Sequence, residues 1–200
     1  MSDFFAVQPL PAPGSPRTAG EHYLNGSNNY YESMTRYLID GSTQFTSGVM
    51  RLAAVNLPAG FTATTISYIA GTGITLGTGV NAWAALYDTA GNLMAQSTTT
   101  ATPVAVSFSN VTFTLASSQA VTTSGTYYVG VMYSQTGGAL PFFQKHTVVT
   151  GIVGGGGALT GQKALNALHA TTGLTTTAPA TTGTLSTATA DASCPYFVVS

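Results

Sequence analysis

The stretch TISYIAGTGITLGTGVNAWAALYD, residues 65–88, decides how this chain is to be read. Its first half alternates, with Ile66, Tyr68 and Ala70 on one face and Thr65 and Ser67 on the other, the period of a half-buried strand. Then come Gly71-Thr72-Gly73, Gly77-Thr78-Gly79 and, at the end, Asp88. Strand, glycines and acid are also how a dinucleotide-binding loop begins. Such a loop needs a helix directly after the glycines, because the phosphates sit on its N-terminal amides. Only the eight residues Val80–Tyr87 separate the last glycine from Asp88, and a parallel crossover takes about a dozen or more. The P-loop pattern fails as well, since neither lysine is followed by Ser or Thr. The glycines therefore read as a loop between two strands. Trp83 reads as a mid-strand residue whose small neighbours Ala82 and Ala84 leave room for a buried indole.

The flanking sequence continues in strands. Asp88-Thr89-Ala90-Gly91 is turn chemistry, so 81–97 reads as a hairpin. Val49–Leu57 is an apolar run ended by Pro58 and Gly60. Val104, Val106 and Phe108 alternate, and Val111, Phe113 and Leu115 alternate on the opposite parity, so a bulge or bend is expected near Ser109-Asn110. Thr126–Tyr133 places Tyr127, Val129, Val131 and Tyr133 on one face, and Pro195–Val199 closes the chain. This predicts an all-β protein, an antiparallel, jelly-roll-like β-sandwich over 48–200. Short helices are expected only near 30–38 and over Gln162–Ala170. Within the sandwich, 151–192 is a Gly/Thr/Ala-rich loop containing Gly154-Gly155-Gly156-Gly157. Loops this long are uncommon in compact domains, so it is expected to be disordered or held by neighbouring molecules.

Composition agrees. Thr accounts for 34 of 200 residues and Gly for 23, β-branched and turn-forming residues respectively. Only 6% of residues are charged, against roughly 25% in ordinary domains. The net charge of −1 and the scattered Arg17, Arg36, Arg51, Lys145 and Lys163 give no field to gather nucleic acid. No nucleic-acid partner is expected. Weak repulsion between copies instead suits a protein packed in an assembly. No segment reaches the ~18 apolar residues of a spanning helix, and the first twenty residues lack a secretory pattern. The expectation is a protein that neither enters nor crosses a membrane.

Sites for chemistry are thin. His22, His146 and His169 show no helical-turn spacing and no accompanying carboxylate pair, so no metal is expected. The six acids, Asp3, Glu21, Glu32, Asp40, Asp88 and Asp191, form no evident glycosidase pair, and Gly-x-Ser-x-Gly is absent. Cys194 is the only cysteine, so an internal disulfide is impossible. It reads as a small buried hydrophobe. The expectation is no enzyme, no cofactor and no catalytic residue. Trp83, Tyr87, Tyr127, Tyr128 and Tyr133 leave a carbohydrate-binding alternative open: an outward aromatic row favours sugar, and a buried set favours a scaffold.

Residues 1–47 read differently. Prolines at 9, 11, 13 and 16 make the start an extended arm. The aromatic, turn-rich 21–47 would form a collar. Phe4, Phe5, Val7, Leu10, Tyr30 and Tyr31 are the candidate assembly contacts, apolar groups that a free tail would leave wet.

Two stretches carry a resemblance, AWAALYDTAGNLMAQS (82–97) and SGTYYVGVMY (124–133). With Trp83, Ala85, Leu86, Tyr87, Asp88, Gly91, Leu93 and Ala95, then Gly125, Tyr127, Tyr128, Val129 and Gly130, and finally Pro195 and Tyr196, the sequence resembles a family of small β-rich virion proteins of tailed bacteriophages. These are minor capsid, head-decoration or minor tail proteins. The match covers roughly 50–200. It implies a virion protein assembled in the host cytoplasm. The partners it implies are copies of itself, as in a trimer, and a capsid or tail protein. A cell-surface glycan is the alternative partner. The resemblance brings no active-site residues.

Overall fold

The computed structural model describes residues 30–34, 38–71, 76–99, 108–147, 166–168, 173–183, 189–190 and 193–200. The strands, in chain order, are β1 (Tyr31–Glu32), β2 (Gly41–Gln44), β3 (Val49–Leu57), β4 (Thr62–Ile69), β5 (Leu76–Tyr87), β6 (Leu93–Gln96) and β7 (Asn110–Ala120). They continue with β8 (Gly125–Gly138), β9 (Phe142–Thr147), β10 (Asn166–Leu168), β11 (Thr189–Ala190), β12 (Ser193–Pro195) and β13 (Phe197–Val199). No α-helix occurs among the described residues, and Leu38 lies in a 3-10 turn. The all-β class follows.

Three sheets form, a four-stranded β1-β13-β4-β7, a six-stranded β11-β10-β3-β8-β5-β6 and a three-stranded β12-β9-β2. Every pairing is antiparallel. The long strands β3, β4, β5, β7 and β8 fall alternately in the six- and four-stranded sheets. Apart from the β5–β6 hairpin, the connections between these long strands thus pass from one sheet of the sandwich to the other. Between the sheets lies one apolar cluster, and each strand contributes its period-2 set: Ile66, Tyr68 and Ala70; Val111, Phe113 and Leu115; Tyr127, Val129, Val131 and Tyr133. At its centre the buried hydroxyls of Tyr68 and Tyr133 meet at 2.8 Å, with Phe45, Phe113 and Phe143 packed around them.

The structure corrects three expectations. Gly77 and Gly79 do not form a free loop. They lie inside β5, where the pairing with β8 shifts between Thr78 and Asn81. Gly79 takes φ +61°, and a Cβ on Gly77 would stand 2.1 Å from the carbonyl oxygen of Gly137. A bulge with a close backbone approach demands glycine there.

The helix expected near 30–38 gives way to strand at its start and keeps a 3-10 turn at Leu38, and the one expected over Gln162–Ala170 is strand where it is described. Tyr31–Glu32 pairs with Val198–Val199, and Asn166–Leu168 runs between β3 and β11. In each case a neighbouring strand edge satisfies the main chain, which a short helix would have to do alone.

The third correction concerns 151–192. Residues 173–183 lie on their own domain, against the outer face of the six-stranded sheet. No neighbouring molecule is needed to hold them. The parity change near Ser109-Asn110 can be followed only from its C-terminal side, since 104–107 lie outside the described residues. There the chain turns at Phe108, with φ +57°, before β7 begins.

Candidate functional site

Of the six candidate assembly contacts, Phe4, Phe5, Val7 and Leu10 lie outside the described residues. Tyr30 is partly buried, and Tyr31 packs edge-on against Phe61, ring centroids 4.8 Å apart. The root of the arm is tied to the far end of the chain. The Tyr196 hydroxyl donates to the buried Glu32 carboxylate, Oε1, at 2.5 Å. Ser33 Oγ donates to the Pro195 carbonyl at 2.8 Å and accepts from the Phe197 amide at 2.9 Å. The collar is stitched likewise, β2 pairing with β9 over Gly41–Gln44.

That pairing brings together three residues the sequence kept apart. Antiparallel register sets Gly41 opposite Lys145, which puts Asp40 beside His146, and sets His146 opposite Cys194 on β12. An acid, an imidazole and a thiol thus stand in a row across neighbouring strands. Asp40 Oδ2 lies 3.2 Å from His146 Nδ1. Both Asp40 oxygens also accept the Thr147 amide at 3.0 Å, and Lys145 Nζ is 4.0 Å away. Donation by the Thr147 amide is the main influence holding the Asp40 carboxyl below its ordinary value, with Lys145 and His146 adding to it.

The row resembles a nucleophilic triad only in composition. Burial pushes the Cys194 thiol up to about 12, and a protonated thiol is no nucleophile. The arrangement instead ties β2 to the end of β9. Sequence spacing could not reveal it, since the three residues come from segments about fifty to a hundred residues apart. Among the described residues, no three His, Cys, Asp or Glu side chains are grouped to hold a metal ion.

The aromatic residues of the two motif stretches point inward. Trp83, Tyr87, Tyr127, Tyr128 and Tyr133 are all buried, none more than 4% exposed. Trp83 stands on the outer side of the six-stranded sheet, in a second cluster with Met50, Leu52, Tyr87, Tyr128, Met132 and Ala178. Burial raises the hydroxyl of Tyr128 to about 12 and that of Tyr87 higher still. Asp88 closes the β5–β6 hairpin as the sequence indicated: Oδ1 accepts the amides of Ala90 at 2.9 Å and Asn92 at 2.8 Å. A scan against protein-family models finds no match, and a search of curated proteins finds no relative.

Proposed function

We propose that the protein is a structural component of a tailed-bacteriophage virion, decorating or reinforcing the capsid or sitting at a vertex or on the tail. It works by adhesion rather than by catalysis. The reading starts from the resemblance of 82–97 and 124–133 to virion proteins. One structural observation supports it above the rest: the two stretches are neighbouring central strands. Trp83 faces Met132 and Tyr87 faces Tyr128 in the β5–β8 register. The residues that carry the resemblance are therefore packing residues of one sheet, as a fold signature should be.

The stretch ahead of β1 is the attachment element in this reading, since β1, β2 and Phe45 belong to the domain itself, and the sandwich faces outward. Pinning of Tyr31, Glu32 and Ser33 to the last strand fixes where the arm leaves the domain. A rigid root lowers the ordering cost of docking. Burial of Phe4, Phe5, Val7 and Leu10 against a neighbour would each contribute on the order of 1.5–3 kcal/mol. Low charge lets copies stand close together. The carbohydrate alternative finds no stacking platform among the five aromatics named for it, since all are buried.

The test is a protein lacking residues 1–20, which keeps β1, β2 and every described contact. It should fold, and it should be missing from purified particles by quantitative mass spectrometry. Undiminished incorporation would refute the arm as the attachment element. Absence of the full-length protein from particles would refute the virion reading itself.

A further inference from the structure

The outer face of the six-stranded sheet is closed by a piece of chain that buries little of itself. Within 173–183 only Ala178 and Thr182 are buried, yet Trp83, Tyr87 and Tyr128 are sealed in the cluster that includes Ala178. The segment enters where the Leu174 amide donates to the Gly48 carbonyl at 3.1 Å. It then passes the indole, whose Nε1 donates to the Thr175 carbonyl at 3.0 Å.

At Gln96 it meets a side-chain amide that imitates a strand edge. Nε2 donates to the Thr176 carbonyl at 2.8 Å, and Oε1 accepts the Ala178 amide at 2.6 Å. Thr99 Oγ1 adds a donation to the Thr176 carbonyl at 3.0 Å. The chain then runs along the open edge of β6: the Leu93 amide donates to Ala180 and the Thr182 amide to Gly91, with Asn92 opposite Thr181. One segment thus covers both an apolar face and a strand edge. Its hold consists mainly of hydrogen bonds near solvent, and such regions open before the core does.

We propose that residues 173–183 are a releasable strap that guards against self-association, with the Gln96 amide as its clasp. The strap opens as a unit while both sheets stay folded. Opening bares the Trp83 face and the β6 edge together, and the occupant they then take is a second copy of the chain. Three features favour a second copy. The β6 sequence Leu93–Gln96 carries no charge to repel an identical strand. The amide of Leu93 and the carbonyl of Gly91, now satisfied by the strap in a strand-like pattern, become open to an added strand when it leaves. The net charge of −1 leaves little repulsion between copies. The inference is independent of the virion reading.

Hydrogen exchange of the full chain, together with sedimentation velocity, tests it. In the parent protein the Leu93 and Thr182 amides should exchange ahead of Val129 and Val131 in β8. Gln96→Ala should speed strap exchange about tenfold or more, as loss of two neutral hydrogen bonds implies. β8 protection should not change, and the dimer fraction should rise. Thr99→Val, a milder change, should move both readouts the same way by less.

Asn92 and Thr181 form a non-hydrogen-bonded pair, a spacing of about 4.5 Å between Cα atoms that a disulfide can bridge. The oxidised N92C/T181C pair should suppress both strap exchange and the dimers of Gln96→Ala. Strap amides that exchange only with β8 would overturn the releasable strap. Faster opening with no gain in dimer would overturn the role in self-association.

Discussion

The two faces of the six-stranded sheet are both core, but they are covered in different ways. The inner face, with Ala82, Ala84, Leu86, Val129, Val131 and Tyr133, meets the four-stranded sheet and shares its large apolar cluster. The outer face, with Met50, Trp83, Tyr87, Tyr128 and Met132, forms a second cluster that Ala178 and Leu174 of an irregular strap join. On β5 the two aromatic side chains fall on the outer side, with Ala85, while Leu86 faces inward. Ala82 and Ala84 turn toward the bulky Tyr68 side of the sandwich, and Trp83 and Tyr87 turn outward. Every residue from Ala82 to Tyr87 is fully buried, which is why the strand reads as a continuous apolar run and not as an alternation. Burial on two faces does not require two sheets.

The largest expected effect tests whether the faces are equal. Trp83→Ala on the outer face and Phe143→Ala, in the cluster that the inner face joins, should each cost about 3–5 kcal/mol in chemical denaturation, since both side chains are fully buried. A cost for Trp83 under about 1 kcal/mol would mean that the strap does not make a core.

The next pair separates the faces by polarity. Tyr68 and Tyr133 exchange a buried hydrogen bond, so Tyr68→Phe strands a hydroxyl and should cost about 1–3 kcal/mol. Tyr87 Oη donates to the Met50 sulfur, at 3.3 Å, a weak acceptor. Tyr87→Phe should cost less than about 1 kcal/mol in the same assay. Equal costs would remove the distinction. At the bulge, Gly77→Ala meets backbone that cannot yield, and about 1–3 kcal/mol is expected.

The smallest effect lies at the collar. The Asp40 carboxyl sits below its ordinary value, so its contribution is present above pH 3.8 and is lost as pH falls through the lowered value. Asp40→Asn should therefore lower the melting temperature slightly at neutral pH. The gap from the parent protein should close only under strong acid. A gap that does not narrow as the pH falls ever further below 3.8 would assign the effect to something other than the carboxylate.

The long strands were legible because they obey a period. Val49–Leu57 is β3 as read, and Ile66/Tyr68, Val111/Phe113 and Tyr127/Val129 face the core as their alternation says. The turn at Asp88 was legible from its residue types. Burial of Trp83 was legible from its alanine neighbours, but the identity of its cover was not. Residues 173–183, GLTTTAPATTG, have no period and almost nothing apolar. Their position depends on Gln96, Thr99 and Trp83, far away in sequence. β1 and β10 escaped for a related reason: two or three residues carry no pattern, and only a distant strand edge makes them strands. The Asp40–His146–Cys194 row arises from register alone.

The central claim is that the strap seals the outer face into a core, and the chain's single tryptophan reports on it. The direct measurement is Trp83 emission of the native protein with added iodide, compared with the unfolded chain. Blue-shifted emission, almost untouched by iodide until the protein unfolds, is the expected result. Emission at the wavelength of a solvated indole, quenched as in the unfolded chain, would contradict it.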